Sequence, residues 1–346
     1  MAINAALTFS AYNHFPTSPL FPYFNSRCHS LSSSQKSIHG VAFPSSLVTT
    51  AIYKIPASKS VRADVTPLNR EQVAPPFNVL ITGSTKGIGF ALAKEFLKTG
   101  DNVIVCSRSA ERVESALQSL IHDFGQQRVW GTTCDVRQGE DVKKLVHFAQ
   151  QNLKHIDIWI NNAGSNAYSY KPLAEASDED LIEVVTTNTL GLMICCREAI
   201  KMMLNQPRGG HVFNMDGAGS DGRPTPRFAA YGATKRSVVH LTKSLQAELR
   251  MQDVEHVIVH NLSPGMVTTD LLMSGATTKQ AKFFINVLAE PAEVVAEYLV
   301  PSIRSVLLNG STKPTYIRFL TGLKAYSQIF SRFAFGARRN RHVLED

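Results

Sequence analysis

From Phe77 onward the chain alternates short apolar runs with longer helical stretches, and this alternation leaves few folds open. FNVLIT, NVIVCS, RVWGTTCDV, IDIWINNAG, HVFNM and HVIVHNLSPG read as strands. Residues near 87–98, 112–124, 141–152, 177–204 and 229–251 read as the helices between them. Apolar strands separated by helices belong in a parallel sheet covered on both faces. The expected architecture is α/β: one domain built on a doubly wound parallel sheet. In such sheets ligands bind beyond the carboxyl ends of the strands, so the residues just after each strand are where function is sought.

After the first strand comes TGSTKGIG, that is Thr82, Gly83, Ser84, Thr85, Lys86, Gly87, Ile88 and Gly89, opening a helix. Its glycines let the backbone turn and approach a pyrophosphate, and the helix N-terminus offers free N–H groups and a positive dipole end. A carboxylate at the end of the second strand would favour NAD; here Ser107 stands there, followed by Arg108. With Lys86, Arg108 supplies positive charge for a 2′-phosphate, so the expected cofactor is NADPH, with NADH weaker.

A third signal lies in NMDGAGSDGRPTPRFAAYGATK, where Tyr231 and Lys235 are four apart and share one helical face. A fixed ammonium beside a phenol lowers its pKa toward the working range of a proton donor.

The first 63 residues contain no Asp or Glu and are rich in Ser, a composition that reads as a disordered organelle transit peptide over 1–62, of chloroplast rather than mitochondrial type. The catalytic domain is expected over 75–310 and a basic, aromatic extension over 311–346. Much of the formal charge of +8 sits in these two flanks, which argues against a nucleic-acid partner. The five cysteines lack zinc-ligand or disulfide-framework spacing, and no metal site is expected.

Taken together, these motifs resemble the short-chain dehydrogenases/reductases, a Rossmann-type family. TGSTKGIG looks like its cofactor loop, and Asp135 and Val136 of CDV its adenine-binding pair. Asn162, Ala163 and Gly164 of NNAG look like its fourth-strand motif, Asn188 its helix Asn, YGATK its YxxxK, and SPGMVTT, with Pro264, Gly265, Val267 and Thr269, its nicotinamide-side loop. The resemblance implies that Tyr231 donates the proton, Lys235 tunes it and holds the nicotinamide ribose, and Asn188 holds a water leading to solvent. Within the family, FNMDGAGSDG before YGATK, with the plastid-like presequence, resembles the chloroplast chlorophyll(ide) b reductases of the type without membrane-spanning helices. That likeness implies NADPH-dependent reduction of the 7-formyl group of chlorophyll b or chlorophyllide b. It also implies peripheral attachment to the stromal side of the thylakoid membrane, contact with light-harvesting complex and a membrane-spanning paralogue, and homo- or hetero-oligomerisation.

One departure stands out. The family's NxSS pattern after the fifth strand, whose Ser bonds the substrate carbonyl, is replaced by Asn214, Met215, Asp216 and Gly217, so either Ser220 swings in or backbone N–H groups of residues 217–219 hold the carbonyl. Gly217 and Gly219 are read as giving up bulk for a flat macrocycle, and Asp216 as bracing the loop in preference to touching the substrate. Residues 270–290 supply Leu271, Leu272, Met273, Phe283, Phe284 and Val287 as a substrate cover. Phe319, Leu323, Tyr326, Phe330 and Phe333 fall on one helical stripe, with Arg332, Arg338, Arg339 and Arg341 as a basic end, and this stripe either lies on an anionic membrane surface or packs against the domain or a partner subunit. Two other functions fit these residues: a plastid carbonyl reductase of the 3-oxoacyl type, and a non-catalytic cofactor-binding partner of an active paralogue.

Overall fold

Seven parallel strands form one sheet in the order β3-β2-β1-β4-β5-β6-β7. They are β1 (Asn78–Thr82), β2 (Asn102–Ser107), β3 (Val129–Thr133), β4 (Ile158–Asn161), β5 (Gly210–Met215), β6 (Val257–Ser263) and β7 (Tyr316–Arg318). The computed structural model describes residues 73–167, 171–274 and 276–345, and the presequence expected over 1–62 lies outside them.

The alternation of side chains along each strand divides the core in two. Val79 and Ile81 of β1 turn to one face, against α1 (Gly87–Lys98) and α9 (Ala292–Leu308), where Leu92, Phe96, Val295 and Leu299 are fully buried. Leu80 turns to the other, with Ile104 and Trp159, against α3 (Gly139–Leu153) and α5 (Leu192–Leu204). The remaining α-helices among the described residues are α2 (Ala110–Phe124), α4 (Asp178–Val185), α6 (Ala229–Met251), α7 (Asp270–Met273), α8 (Lys279–Leu288) and α10 (Gly322–Phe335). Strand order reverses between β1 and β4, which opens a crevice at their carboxyl ends.

Three features differ from the sequence expectation. The single helix expected over 177–204 is two helices, α4 and α5, joined by a π-helical turn at Thr186–Gly191 that contains Asn188. The sheet runs past Gly310, because β7 pairs with β6 through Asn261–Tyr316 and its neighbours; three residues are too short to carry a strand signal. Phe319 is not on the C-terminal stripe: Thr321 caps α10 by accepting from the Lys324 N–H, so the helix starts after Phe319, which is buried edge-on to Tyr298.

Leu323, Tyr326, Phe330 and Phe333 are exposed on α10. The basic end is largely spent inside the protein: Arg332 pairs with Glu345, and Arg338 and Arg341 pair with Glu290 at 2.9 and 2.8 Å. No helix among the described residues is long and apolar enough to cross a membrane. Cys106, Cys134, Cys195 and Cys196 are free and buried.

Candidate active site

One cleft of about 1300 Å³ opens at the carboxyl ends of the strands, and nearly every sequence-expected site residue lines it. From the first βα turn these are Gly83, Thr85, Lys86, Gly87, Ile88 and Gly89, and from the next strand ends Ser107, Arg108, Asp135 and Val136. Asn162, Ala163, Gly164, Tyr231, Lys235, Pro264, Gly265, Val267 and Thr269 complete it. Four candidates lie outside the lining: Thr82, Ser84, Asn188 and Ser220.

Each of the four is occupied elsewhere. The Thr82 hydroxyl accepts from the N–H groups of Asn162 and Ala163, both at 3.1 Å, and so ties β1 to the β4 loop. Ser84 donates to the Ile81 carbonyl at 2.6 Å and accepts from the Cys106 N–H at 3.0 Å. Asn188 clamps Ser165 by accepting from its N–H and donating to its carbonyl, both at 2.8 Å, and donates again to the Thr234 hydroxyl at 3.1 Å. Its amide N–H groups are thereby spent. Ser220 is buried in a turn closed onto Gly217, with its hydroxyl directed to the Asp216 and Tyr316 side rather than into the cleft. The swing-in expected of Ser220 is thus not the arrangement found.

At the dinucleotide end, the first turn of α1 holds no acidic residue and Lys86 makes no side-chain cap, so its N–H groups face the cleft as a ready anion site. Gly89 is forced by packing, since a Cβ there would lie 2.4 Å from Asn162 Nδ2 and 2.5 Å from the Gly83 carbonyl. These donors and this cradle fit a pyrophosphate. Arg108 is held by Glu183 at 2.7 Å and Lys86 by Asp270 at 3.2 Å, both exposed pairs that an anion of higher charge can displace. Arg112 also lines the cleft there, and its guanidinium has no partner among the described residues. The Asp135 carboxylate is chelated by Arg137 at 2.9 and 3.0 Å through Nε, which holds it below the usual carboxylate range. Arg112, Arg137 and Glu183 escaped the sequence reading because their roles depend on helices that meet only in the fold.

At the catalytic end, Lys235 is buried, donates to the Met215 carbonyl at 3.2 Å and sits 5.7 Å from the centre of the Tyr231 ring. Burial lowers Lys235 to about 8, against the opposing pull of Asp216. Burial, and then the Asp216 charge, push Tyr231 up. The expected lowering of the phenol by the ammonium is therefore not found in the protein alone: desolvation of the phenolate outweighs it. Gly164 lies between the helix Asn and the ammonium, because a Cβ there would be 3.4 Å from Asn188 Oδ1 and 3.8 Å from Lys235 Nζ.

Gly217 takes the position beside the phenol: a Cβ on it would lie 2.6 Å from Tyr231 Oη. Gly217 and Ala218 line the cleft, and their N–H groups meet no acceptor among the described residues. Gly219 serves a different purpose from the one expected. With φ at +92°, it packs its backbone on Gly232, where a Cβ would meet the Gly232 Cα at 2.7 Å. Leu271, Leu272, Phe284 and Ile285 wall the cleft from the cover segment, while Val287 is fully buried and Phe283 packs on Phe284 and Phe333.

A sequence model of the short chain dehydrogenase family matches residues 78–280. The chain belongs to the short-chain dehydrogenase family. This short-chain dehydrogenase is 75% identical over 296 residues to chlorophyll(ide) b reductase NOL, chloroplastic, of Oryza sativa subsp. japonica, covering 84% of this chain and 86% of that protein. It is 77% identical over 291 residues to the protein of the same name from Arabidopsis thaliana, covering 84% and 83%. Among solved structures it superposes on an actinorhodin polyketide ketoreductase variant crystallised with NADPH, with a TM-score of 0.61 and 26% identity over 73% of this chain and 99% of that one.

Proposed function

We propose that this short-chain dehydrogenase reduces the formyl group of chlorophyll b or chlorophyllide b to hydroxymethyl in the chloroplast, using NADPH in preference to NADH. The observation that carries this is identity of 75% or more, over 84% of the chain, to two proteins that bear that activity in their names. The cleft supports it physically. A volume of about 1300 Å³ exceeds the roughly 300–1000 Å³ of ordinary small-molecule sites, leaving room for a dinucleotide and a large second molecule.

When bound, NADPH supplies the hydride to the formyl carbon. Tyr231 gives its proton to the aldehyde oxygen, which its raised pKa keeps in place until negative charge develops there. Lys235, charged below pH of about 8, offsets that charge and faces the ribose side of the site. The free N–H groups of Gly217 and Ala218 take over from the missing Ser, a contribution of about 3 kcal/mol for one such donor. Arg108 and Arg112 hold the 2′-phosphate. Asp135 and Val136 border the adenine, and Asn162 to Gly164 and Pro264 to Thr269 the nicotinamide side. Purified protein incubated with NADPH and chlorophyllide b should form the hydroxymethyl pigment, and Tyr231→Phe should not. A 3-oxoacyl substrate turned over in place of the pigment would select the other reductase reading.

We further propose that α10, with Leu323, Phe330 and Phe333 exposed, rests on the thylakoid surface or on a partner there. Because β7 lies beyond Leu308, deleting the tail would remove a strand, so substitution tests this better. Serine at Leu323, Phe330 and Phe333 should release the protein from isolated thylakoids, and retained binding would refute the assignment.

A further inference from the structure

Asp216 is a buried carboxylate that neither the cofactor site nor the proton transfer as described above uses. It follows the last residue of β5, stands immediately before Gly217, and is 3% exposed. Its backbone N–H donates to the Leu262 carbonyl at 2.9 Å, which locks it to β6. Tyr316 of β7, a hundred residues away in sequence, donates its hydroxyl to Asp216 Oδ2. The other oxygen, Oδ1, is buried without a hydrogen-bond partner among the described residues. The Ser263 and Ser220 hydroxyls lie on the Asp216 side, but a buried carboxylate is still costly, because it loses solvation that a few hydroxyls do not restore. Residues that brace a loop meet that cost by bonding the loop's N–H groups, yet the N–H groups of Gly217 and Ala218 do not reach this carboxylate. Asp216 thus meets the loop through the Ser220 hydroxyl rather than through the loop's N–H groups.

We propose that Asp216, pinned by Tyr316, is a positioning residue for proton transfer, a fixed negative charge behind Gly217 that keeps Lys235 charged and Tyr231 protonated between turnovers. Asp216 lines the same cleft as the Tyr–Lys pair, and both its chain neighbours meet that pair: Lys235 donates to the Met215 carbonyl at 3.2 Å, and a Cβ on Gly217 would lie 2.6 Å from Tyr231 Oη. Its charge raises Lys235 against the desolvation that lowers it, and raises Tyr231. Burial raises the Asp216 carboxyl itself, opposed by Tyr316, then by Ser263, Lys235 and Ser220. The groups facing it are thus Tyr231 and Lys235 from α6, Ser220 from the loop, Ser263 from β6, and Tyr316 from β7 with Arg318 3.8 Å from its ring centre. The bond ties β7 to the loop after β5, because β7 carries the tyrosine.

The test is Asp216→Asn, which keeps the shape and the acceptor for Tyr316 while removing the charge. The titration of Lys235 is followed in cofactor-free protein by the Cε chemical shift of isotope-labelled lysine, assigned against Lys235→Arg. The Lys235 midpoint should fall by about one unit, the low end of what an adjacent charge does. The alkaline limb of kcat/KM for the pigment should move down with it. An unchanged Lys235 midpoint in folded Asp216→Asn protein would overturn the proposal. Should that variant not fold, Tyr316→Phe reads the same charge from outside the cleft lining. Without the donated hydrogen bond, Asp216 is harder to ionise, and the acid limb of kcat/KM should move to higher pH; an unmoved limb would overturn the proposal as well. The titration needs neither pigment nor NADPH, so failure of the pigment assignment leaves it standing and distinguishable.

Discussion

Adding one methyl group at Gly217 tests how tightly the catalytic end is built. A Cβ at this position would stand 2.6 Å from Tyr231 Oη and 3.2 Å from Lys235 Cγ, whereas ordinary contact begins at 3.4 Å. The phenol must therefore retreat by 3.4 − 2.6, or 0.8 Å, and the Lys235 stem blocks part of the way. A misplacement of about 1 Å at a reacting centre costs on the order of 100-fold in rate. Gly217→Ala should thus lower kcat for chlorophyllide b by about 10- to 100-fold, with NADPH affinity little changed because the dinucleotide end is distant from the added atom. The assay is steady-state reduction of the pigment, paired with cofactor titration by fluorescence. Gly217→Ser makes a sharper version, since it restores the family's hydroxyl while adding the same Cβ. If either variant turned the pigment over at the wild-type rate, the claim that this glycine sets the phenol's position would be wrong.

Three further outcomes are expected. Free-enzyme activity, read as kcat/KM, should fall as pH rises through about 8, because Lys235 loses its proton there; Lys235→Arg should retain charge past that point and abolish the limb if it remains active. Arg108→Ala and Arg112→Ala should each raise KM for NADPH by about 10-fold or more, as expected for a charge-assisted hydrogen bond, and leave KM for NADH nearly unchanged. Stability should drop on acidification through the His211–His260 pair, whose rings meet at 3.0 Å with one donating to the other. Burial lowers His211 to about 4 and His260 well below its ordinary value, so below the unfolded pKa of 6.5 the unfolded chain binds protons that the folded chain refuses. The loss grows as pH falls from 6.5 toward 4, reaching about 3 kcal/mol for His211 alone; denaturant midpoints should fall over that range in wild type and less in His211→Phe.

The parts of this site that local chemistry dictates were readable in the chain. The Gly-rich turn, the Tyr–Lys spacing and the strand ends are short-range patterns, and they meet in one cleft because a doubly wound sheet gathers its strand ends. What depends on distant partners was not readable. Asp216 reads as a turn residue until Tyr316 arrives from a three-residue strand. Arg338 and Arg341 read as a basic surface until Glu290 takes them up. The clamp of the Asn188 side chain on Ser165 depends on the π-turn, which has no short-range signal. Gly217 and Gly219 look alike in sequence, yet one faces the phenol and the other a helix backbone, a distinction set by which side of the loop each occupies.

Transfer of an isotope label tests the central claim most directly. Purified protein would be given chlorophyllide b and NADPH carrying deuterium at the transferable position of the nicotinamide, and the pigment would be examined by mass spectrometry. The account predicts one deuterium in the new hydroxymethyl group with wild-type protein and none with folded Tyr231→Phe. Pigment left as the aldehyde by protein that is folded and binds NADPH would contradict it.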